Sequence, residues 1–333
     1  MNQKEIARLA GVSVATVSRV INNDINVSDG TRRKVENILK QQSYVTNINA
    51  RNLRTARTKT IGYLISTFNN PYFISIYEGL EKICKEQGYN IIIGITNEDV
   101  KTQKEAINML LSYKVCGIVG SFVAPDKSTI EKLKKMCDFV ISIDREIPGL
   151  EADLICVDNE FGGAEQVRHA IEYGHEKIAV IYGTEDSVGI GRLKGFKHCM
   201  RKYGCEIRDE YMVPGAFNET TSYLSTISLL TLADPPTVIL AHNNLMTIGA
   251  FKAIKDMHLD IPSDISLVGF DDFSLADYLS PGITLIQHPA YEMGEISAKT
   301  LFERLEHTCD GACKKIMLPV KLEIRGSCKV IKK

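Results

Sequence analysis

Residues 4–23 read KEIARLAGVSVATVSRVINN. Ile6, Leu9 and Ala10 recur at helical spacing and stop at Gly11, a residue free to take the positive φ of a tight turn. Ser13 is then placed to cap a second helix, in which Val17, Val20 and Ile21 form an apolar stripe while Thr16, Ser18, Arg19 and Asn22 face outward. Helix, short glycine turn, helix is the helix-turn-helix arrangement. A third helix follows, capped by Ser28, with Val35, Ile38 and Leu39 inward and Arg32, Arg33 and Lys34 crowded at its start. The chain therefore opens with a small all-α head.

Charge is distributed unevenly around this head. The 333-residue chain has a formal net charge of -1, yet residues 1–60 hold 11 Lys and Arg against 4 Asp and Glu, which leaves -8 for the remainder. The stretch NARNLRTARTKT (49–60) carries Arg51, Arg54, Arg57 and Lys59 and no acid. Basic surface attracts nucleic acid through counterion release, so the head is the expected footprint and the acidic body would be repelled by phosphate. The nine cysteines are scattered without a C-x-x-C pair, which fits reduced thiols in a cytoplasm. The N-terminus lacks an apolar leader region, and no apolar run reaches the roughly 18 residues of a membrane span. Neither export nor a membrane is expected, and neither a metal nor a cofactor.

Beyond residue 60 short β-rich runs alternate with helical patterns: TIGYLIS (60–66), a helix from about 74 to 87, NIIIGIT (90–96), a helix near 101–113, GIVGS (117–121) and FVISID (139–144). The alternation restarts with a helix near 160–173, KIAVIYG (177–183), a helix near 191–202, TVILAH (237–242), a helix near 244–257 and ISLVGF (265–270). This is the pattern of two doubly wound parallel-sheet lobes. Ligands of such sheets bind past the carboxyl ends of the strands, and between two lobes that means a cleft. Asn70, Tyr72 and Phe73 follow the first strand, Asp144 and Arg145 the fourth, and a loop ending at Gly191 and Arg192 follows KIAVIYG. Phe217 lies in VPGAFNE, Asn243 follows TVILAH, Asp271 follows ISLVGF, and Gln287 and His288 follow GITLI. Carboxylates and amides pair with neighbouring hydroxyls, Arg donates a rigid fork and aromatic rings cover C–H faces, so the set suits a small polyol and makes a poor phosphate cradle.

Taken together, AGVSVATVSRVINN (10–23), VSDGTRRKVENIL (27–39) and NARNLRT (49–55) resemble the LacI/GalR family of bacterial transcription repressors nearly position by position. The resemblance implies a helix-turn-helix DNA-binding domain over 1–46, a hinge helix or linker over 47–58, and a periplasmic-binding-protein type I effector and dimerisation domain over 61–331. Within the last, lobe 1 would span about 61–159 and 290–318 and lobe 2 about 160–288 and 319–331. It implies that Val14 and Ala15 face base edges, that Thr16, Ser18, Asn22, Ser28 and Thr31 contact phosphates, and that Arg19 contacts base or phosphate. The hinge would press Leu53 into the minor groove of a kinked pseudo-palindromic operator, with Ala50 beside it and Arg51 and Arg54 available for phosphates. Thr46 stands where the family usually has Pro, a departure that loosens the hinge entry.

The body resembles the family's effector domain and the periplasmic sugar-binding proteins, ribose-binding protein above all, through NNPYF, IDRE, RLKGF, GAF, HNN and GFDD. That resemblance implies Asn70, Tyr72, Phe73, Asp144, Arg145, Arg192, Phe217, Asn243, Asp271 and His288 as contacts of a monosaccharide, ribose first. Tyr72 replaces a Phe, Asn244 replaces an Asp, which reads as a change behind the ligand contacts or at a helix cap, and His288 stands where a Gln is usual. The expectation is a cytoplasmic, homodimeric, sugar-responsive repressor, nucleoid-associated when bound to its operator. A purine, a sugar phosphate or a phosphocarrier protein is the alternative effector, and a sugar-binding protein without a DNA role the alternative function. The motifs of nucleotide hydrolysis, serine hydrolysis and zinc proteolysis are missing, and Gly189, Gly191 and Gly195 do not match dinucleotide spacing, so catalysis is not expected.

Overall fold

A computed structural model describes residues 2–21, 24–42, 58–137, 139–273, 276–307 and 311–331. The chain divides into a small unit, Met1–Thr58, and a large one, Lys59–Lys333.

In the small unit, α1 (Gln3–Ala10) begins with a reciprocal cap: Glu5 N donates to Asn2 Oδ1 at 3.0 Å, and Asn2 N donates to Glu5 Oε2 at 2.9 Å. Gly11 closes the helix at φ 64, where a side chain would be strained. Thr16 N donates to Ser13 Oγ at 3.0 Å, which caps α2 (Val14–Ile21). α3 (Asp29–Gln41) closes a miniature core of Ile6, Ala7, Ala10, Val17, Val20 and Val35. Two expectations need correction. Leu9 is 47% exposed, because Ala7, one step round the helix, takes the inward position. Ser28 stands at the start of α3 but does not cap it with its side chain; its hydroxyl donates to Thr31 Oγ1 at 3.0 Å instead.

The large unit holds two six-stranded sheets. The first contains β1 (Thr60–Ile65), β2 (Asn90–Ile95), β3 (Ile118–Gly120), β4 (Val140–Ile143), β5 (Asp153–Val157) and β11 (Lys315–Leu318), in the order β2-β1-β3-β4-β5-β11, all parallel. The second contains β6 (Ile178–Tyr182), β7 (Met212–Pro214), β8 (Val238–Ala241), β9 (Ser266–Phe270), β10 (Thr284–Gln287) and β12 (Lys321–Glu323), in the order β7-β6-β8-β9-β10-β12. β12 runs antiparallel to β10, so this sheet is not wholly parallel. Central strands such as β4, β8 and β9 are buried along their whole length, as expected where helices cover both faces. The chain passes between the sheets after β5, after β10 and between β11 and β12.

The covering helices are α4 (Pro71–Glu86), α5 (Val100–Ser112), α6 (Lys127–Met136) and α11 (Ala290–Leu305) on lobe 1, and α7 (Asn159–Glu172), α8 (Ser187–Lys202), α9 (Glu219–Leu230) and α10 (Asn244–Asp256) on lobe 2. α7 and α8 pack almost backbone to backbone: a Cβ at Gly163 would lie 2.2 Å from Arg192 O, and one at Gly195 2.0 Å from Glu160 O. This close approach brings Arg192 against the start of α7. α8 itself begins at Ser187, so Gly189 and Gly191 are helical and the expected loop up to Arg192 is a correction; Asp186 caps the helix ahead of both glycines. No helix among the described residues is long and apolar enough to cross a membrane.

Candidate functional site

Two surfaces carry the residues that the sequence singles out. On the small unit, Val14, Ala15 and Arg19 are exposed at the start and outer face of α2, with Thr16 and Ser18 half-buried between them. Ser28 is exposed and Thr31 half-buried at the start of α3. Thr16 and Ser13 share a hydroxyl hydrogen bond at 2.9 Å, and Arg19 lies 3.9 Å from Asp24, so the polar groups of this face are oriented by local contacts. Asn22, Ala50, Leu53 and Arg54 lie outside the described residues.

On the large unit, the ends of β1, β4, β8 and β9 converge on a cavity of about 80 Å³ between the lobes. Asn70, Tyr72, Phe73, Asp144 and Arg145 line it from lobe 1, and Arg192, Phe217, Asn243 and Asp271 from lobe 2. His288 is not in this lining. It opens on a neighbouring groove with Tyr72 and touches the cleft through Asp271, whose Oδ1 is 3.3 Å from its Nε2. Asn70 and Asn243 also have local tasks, accepting from Tyr72 N at 3.0 Å and Met246 N at 2.7 Å as caps of α4 and α10.

Three of these side chains sit on left-handed backbone: Asp144 at φ 64, Asp271 at 63 and Phe217 at 51. Such conformations are uncommon outside glycine and persist where surrounding structure enforces them, often at ligand sites. Here the enforcement is visible. The strand-end amides of Asp144 and Asp271 donate to Ile155 O and Ile286 O, both at 2.9 Å, and the ring of Phe217 lies where a Cβ on Gly183 would fall, 2.1 Å from its Cζ.

The cleft brings charged groups together with aromatic rings. Arg192 stacks on Phe270, with its guanidinium carbon 3.7 Å from the ring centre. Its Nη2 and Nη1 meet the two oxygens of Asp271 at 3.1 and 3.2 Å, its Nε donates to Asn159 Oδ1 at 2.8 Å, and Nη1 also donates to the carbonyl of His242. Asp144 has less support. Tyr72 Oη donates to its Oδ2 at 2.6 Å, but no described residue hydrogen-bonds the buried Oδ1. Burial pushes its acid up to about 6, against the opposing pull of the Tyr72 bond and Arg192. His288 moves the other way: burial lowers it to about 4, with Asp271 resisting and Arg192 adding to the fall, so the ring is neutral at pH 7.

Sequence reasoning passed over Glu98, Asp186 and Asn159, and read Asn244 as a change either behind the ligand contacts or at a helix cap; the first is what its contact shows. Asn244 is fully buried, and its Nδ2 donates to Asn70 Oδ1 at 2.8 Å, joining lobe 2 to lobe 1. The signal for Asp186 was its place just before a helix; for Glu98 there was none, since its partner Arg145 lies 47 positions away. Among the described residues no group of three or more His, Cys, Asp and Glu forms a metal site.

The family model for bacterial regulatory proteins of the lacI family matches residues 3–47, and that for the periplasmic binding protein-like domain matches residues 167–328. The chain is 34% identical over 306 residues to the ribose operon repressor of Haemophilus influenzae, an alignment covering 91% of this chain and 92% of that protein. It is 32% identical over 309 residues to the HTH-type transcriptional repressor PurR of Vibrio vulnificus, covering 91% of both. The solved structure of the lac repressor dimer bound to operator and the anti-inducer ONPF matches with a TM-score of 0.85 at 25% identity, over 99% of each chain.

Proposed function

The chain belongs to the lacI family of bacterial regulatory proteins, and from that premise we propose a repressor whose operator affinity is set by a monosaccharide, ribose first, held between the lobes of the large unit. The protein is not an enzyme; it acts as a dimer on operator DNA. In this reading residues 1–46 bind DNA, 47–58 form the hinge and 61–331 bind effector and partner protomer, in the cytoplasm and on the nucleoid when the operator is bound. Val14 and Ala15 offer methyl contacts to base edges, Arg19 a charged one, and Thr16, Ser18, Asn22, Ser28 and Thr31 hold phosphates. A hinge of roughly a dozen residues is too short to be a stable helix by itself, so it folds against DNA and its twin, where Ala50, Leu53 and Arg54 make the wedge and its support.

The observation that carries the sugar is Asp144. A half-buried carboxylate with one oxygen held by Tyr72 and its buried other oxygen without a partner among the described residues lacks a hydroxyl donor, and the rings of Tyr72, Phe73 and Phe217 beside it suit C–H faces. Asn70, Arg145, Arg192, Asn243 and Asp271 supply the remaining donors and acceptors, with His288 behind Asp271. Sugar binding turns lobe 1 on lobe 2, separates the paired hinges and lowers operator affinity by a coupling of about 1 to 3 kcal/mol.

A thermal-shift panel of pentoses, hexoses, sugar phosphates and purines tests the effector, because a ligand specific for the native state raises apparent stability by mass action. A saturable shift with ribose or a close aldose is expected. A shift confined to purines or phosphorylated sugars overturns the sugar reading. For the hinge, Leu53→Ala is expected to weaken specific operator binding at least about tenfold while sparing non-specific binding, since the lost wedge is worth a few kcal/mol of kinked-site contact. Equal loss on both kinds of DNA would sink the wedge.

A further inference from the structure

Arg145 is held from both lobes at once. Its Nη1 donates to Glu98 Oε2 at 2.8 Å on the loop after β2, and its Nε lies 3.1 Å from Asp186 Oδ2 on lobe 2. Asp186 is fixed before it meets Arg145: its Oδ1 accepts from Val188 N and Gly189 N at 2.9 Å, and Thr184 Oγ1 donates to its Oδ2 at 2.7 Å. Two more hydrogen bonds join the lobes, Asn244 to Asn70 at 2.8 Å and Glu146 N to Ser187 Oγ at 3.4 Å. Burial would loosen the proton of Arg145, but Glu98 and Asp186 outweigh it and hold the guanidinium charged.

Arg192 is equally engaged, by Asp271, Asn159 and the His242 carbonyl. Among the described residues lining the cavity, Arg145 and Arg192 are the only Lys or Arg. Around these two guanidinium groups stand four carboxylates, Glu98, Asp144, Asp186 and Asp271. An entering phosphoryl group would find no free fork and an excess of negative charge, whereas hydroxyls need displace no charged partner.

We infer, resting on the sugar reading above, that Glu98 and Asp186 are specificity-determining residues: by holding Arg145 between them they exclude phosphorylated sugars and admit unphosphorylated ones. The Arg145–Asp186 contact also ties the lobes together, so specificity and closure share one guanidinium.

The test uses the full-length dimer as wild type, Glu98→Gln and Glu98→Gln with Asp186→Asn, the last substitution keeping an acceptor for the α8 cap. Calorimetry with ribose and ribose 5-phosphate is paired with thermal shifts in inorganic phosphate. Wild type is expected to prefer ribose strongly. In the double variant the affinity for ribose 5-phosphate relative to ribose is expected to rise at least about tenfold, because two charges facing the anion are gone. Inorganic phosphate is expected to give a saturable shift in the double variant beyond that of wild type, lost again when Arg145→Ala is added. Glu98→Gln alone changes a side chain that is 40% exposed and should move the ratio the same way by less, which keeps the test alive if the double variant does not fold. Wild type binding ribose 5-phosphate as tightly as ribose, or a double variant with unchanged preference and no added phosphate shift, overturns the inference. Should wild type bind a purine and no sugar, the sugar reading falls, and the inorganic phosphate comparison still decides the part played by Glu98 and Asp186.

Discussion

Asp144 and Asp271 occupy equivalent places in the two lobes and lead different lives. Each follows a buried strand, each is left-handed at φ 64 or 63, and each donates its amide to the neighbouring strand at 2.9 Å. Asp271 meets a two-pronged guanidinium and an imidazole, while Asp144 has a single phenol and an oxygen without a described partner. Backbone geometry therefore delivers a carboxylate to the cleft from either lobe, and side-chain supply decides which is fully paired and which keeps an oxygen without a described partner.

The comparison breaks most violently if Arg192 is removed. Arg192→Ala strands a buried carboxylate, and about 3 to 5 kcal/mol of stability should be lost in denaturant unfolding. A loss below about 1 kcal/mol would mean that water or His288 replaces the guanidinium at little cost.

Asp144→Asn should do the reverse. The acid's native pKa, about 6, lies above its ordinary 3.8, so between those values the native state binds more protons than the unfolded one and stability falls as pH rises. At pH 7 the ionised group costs up to about 3 kcal/mol, which the Asn variant should recover in part while losing sugar affinity. A destabilised Asn variant would show that the carboxylate is better satisfied than its contacts indicate.

His288 gives the opposite pH dependence on the other side of the cleft. Its native pKa, about 4, lies below the ordinary 6.5, so the unfolded state takes up protons first and stability declines as pH falls from 6.5 toward 4. Buried His242, lowered to about 3, and His175, lowered to about 4, add to that decline. In His288→Gln the slope of unfolding free energy against pH between 6.5 and 4 should become shallower by part of one histidine's share. An unchanged slope would mean that His288 keeps its ordinary basicity.

What the sequence disclosed follows from how far apart the interacting residues stand. The head was legible because a capped helix, Gly11 and a second capped helix interact over a few positions; Leu9 failed because helical spacing alone does not say which side of a short helix faces the core. In the body, strand ends marked the places from which Asp144 and Asp271 enter the cleft. The pairings were out of reach: Tyr72 meets Asp144 across 72 positions and Arg192 meets Asp271 across 79, and only the packed sheets bring them together. The antiparallel β12 escaped notice for a related reason, since a three-residue strand has too little periodicity to announce itself.

The cavity's volume, about 80 Å³, would set a clock for the regulator proposed above. Ordinary ligand pockets run from about 300 Å³ upward, so under the proposed function an effector of usual size needs the lobes to part before it can seat here. At high effector concentration the observed association rate then levels off at the opening rate of the lobes, and the lifetime of the complex is bounded by the same motion. On that proposal the speed of the response rests on the few polar contacts that span the lobes, Asn244 with Asn70 and Arg145 with Asp186, more than on collisions with the ligand.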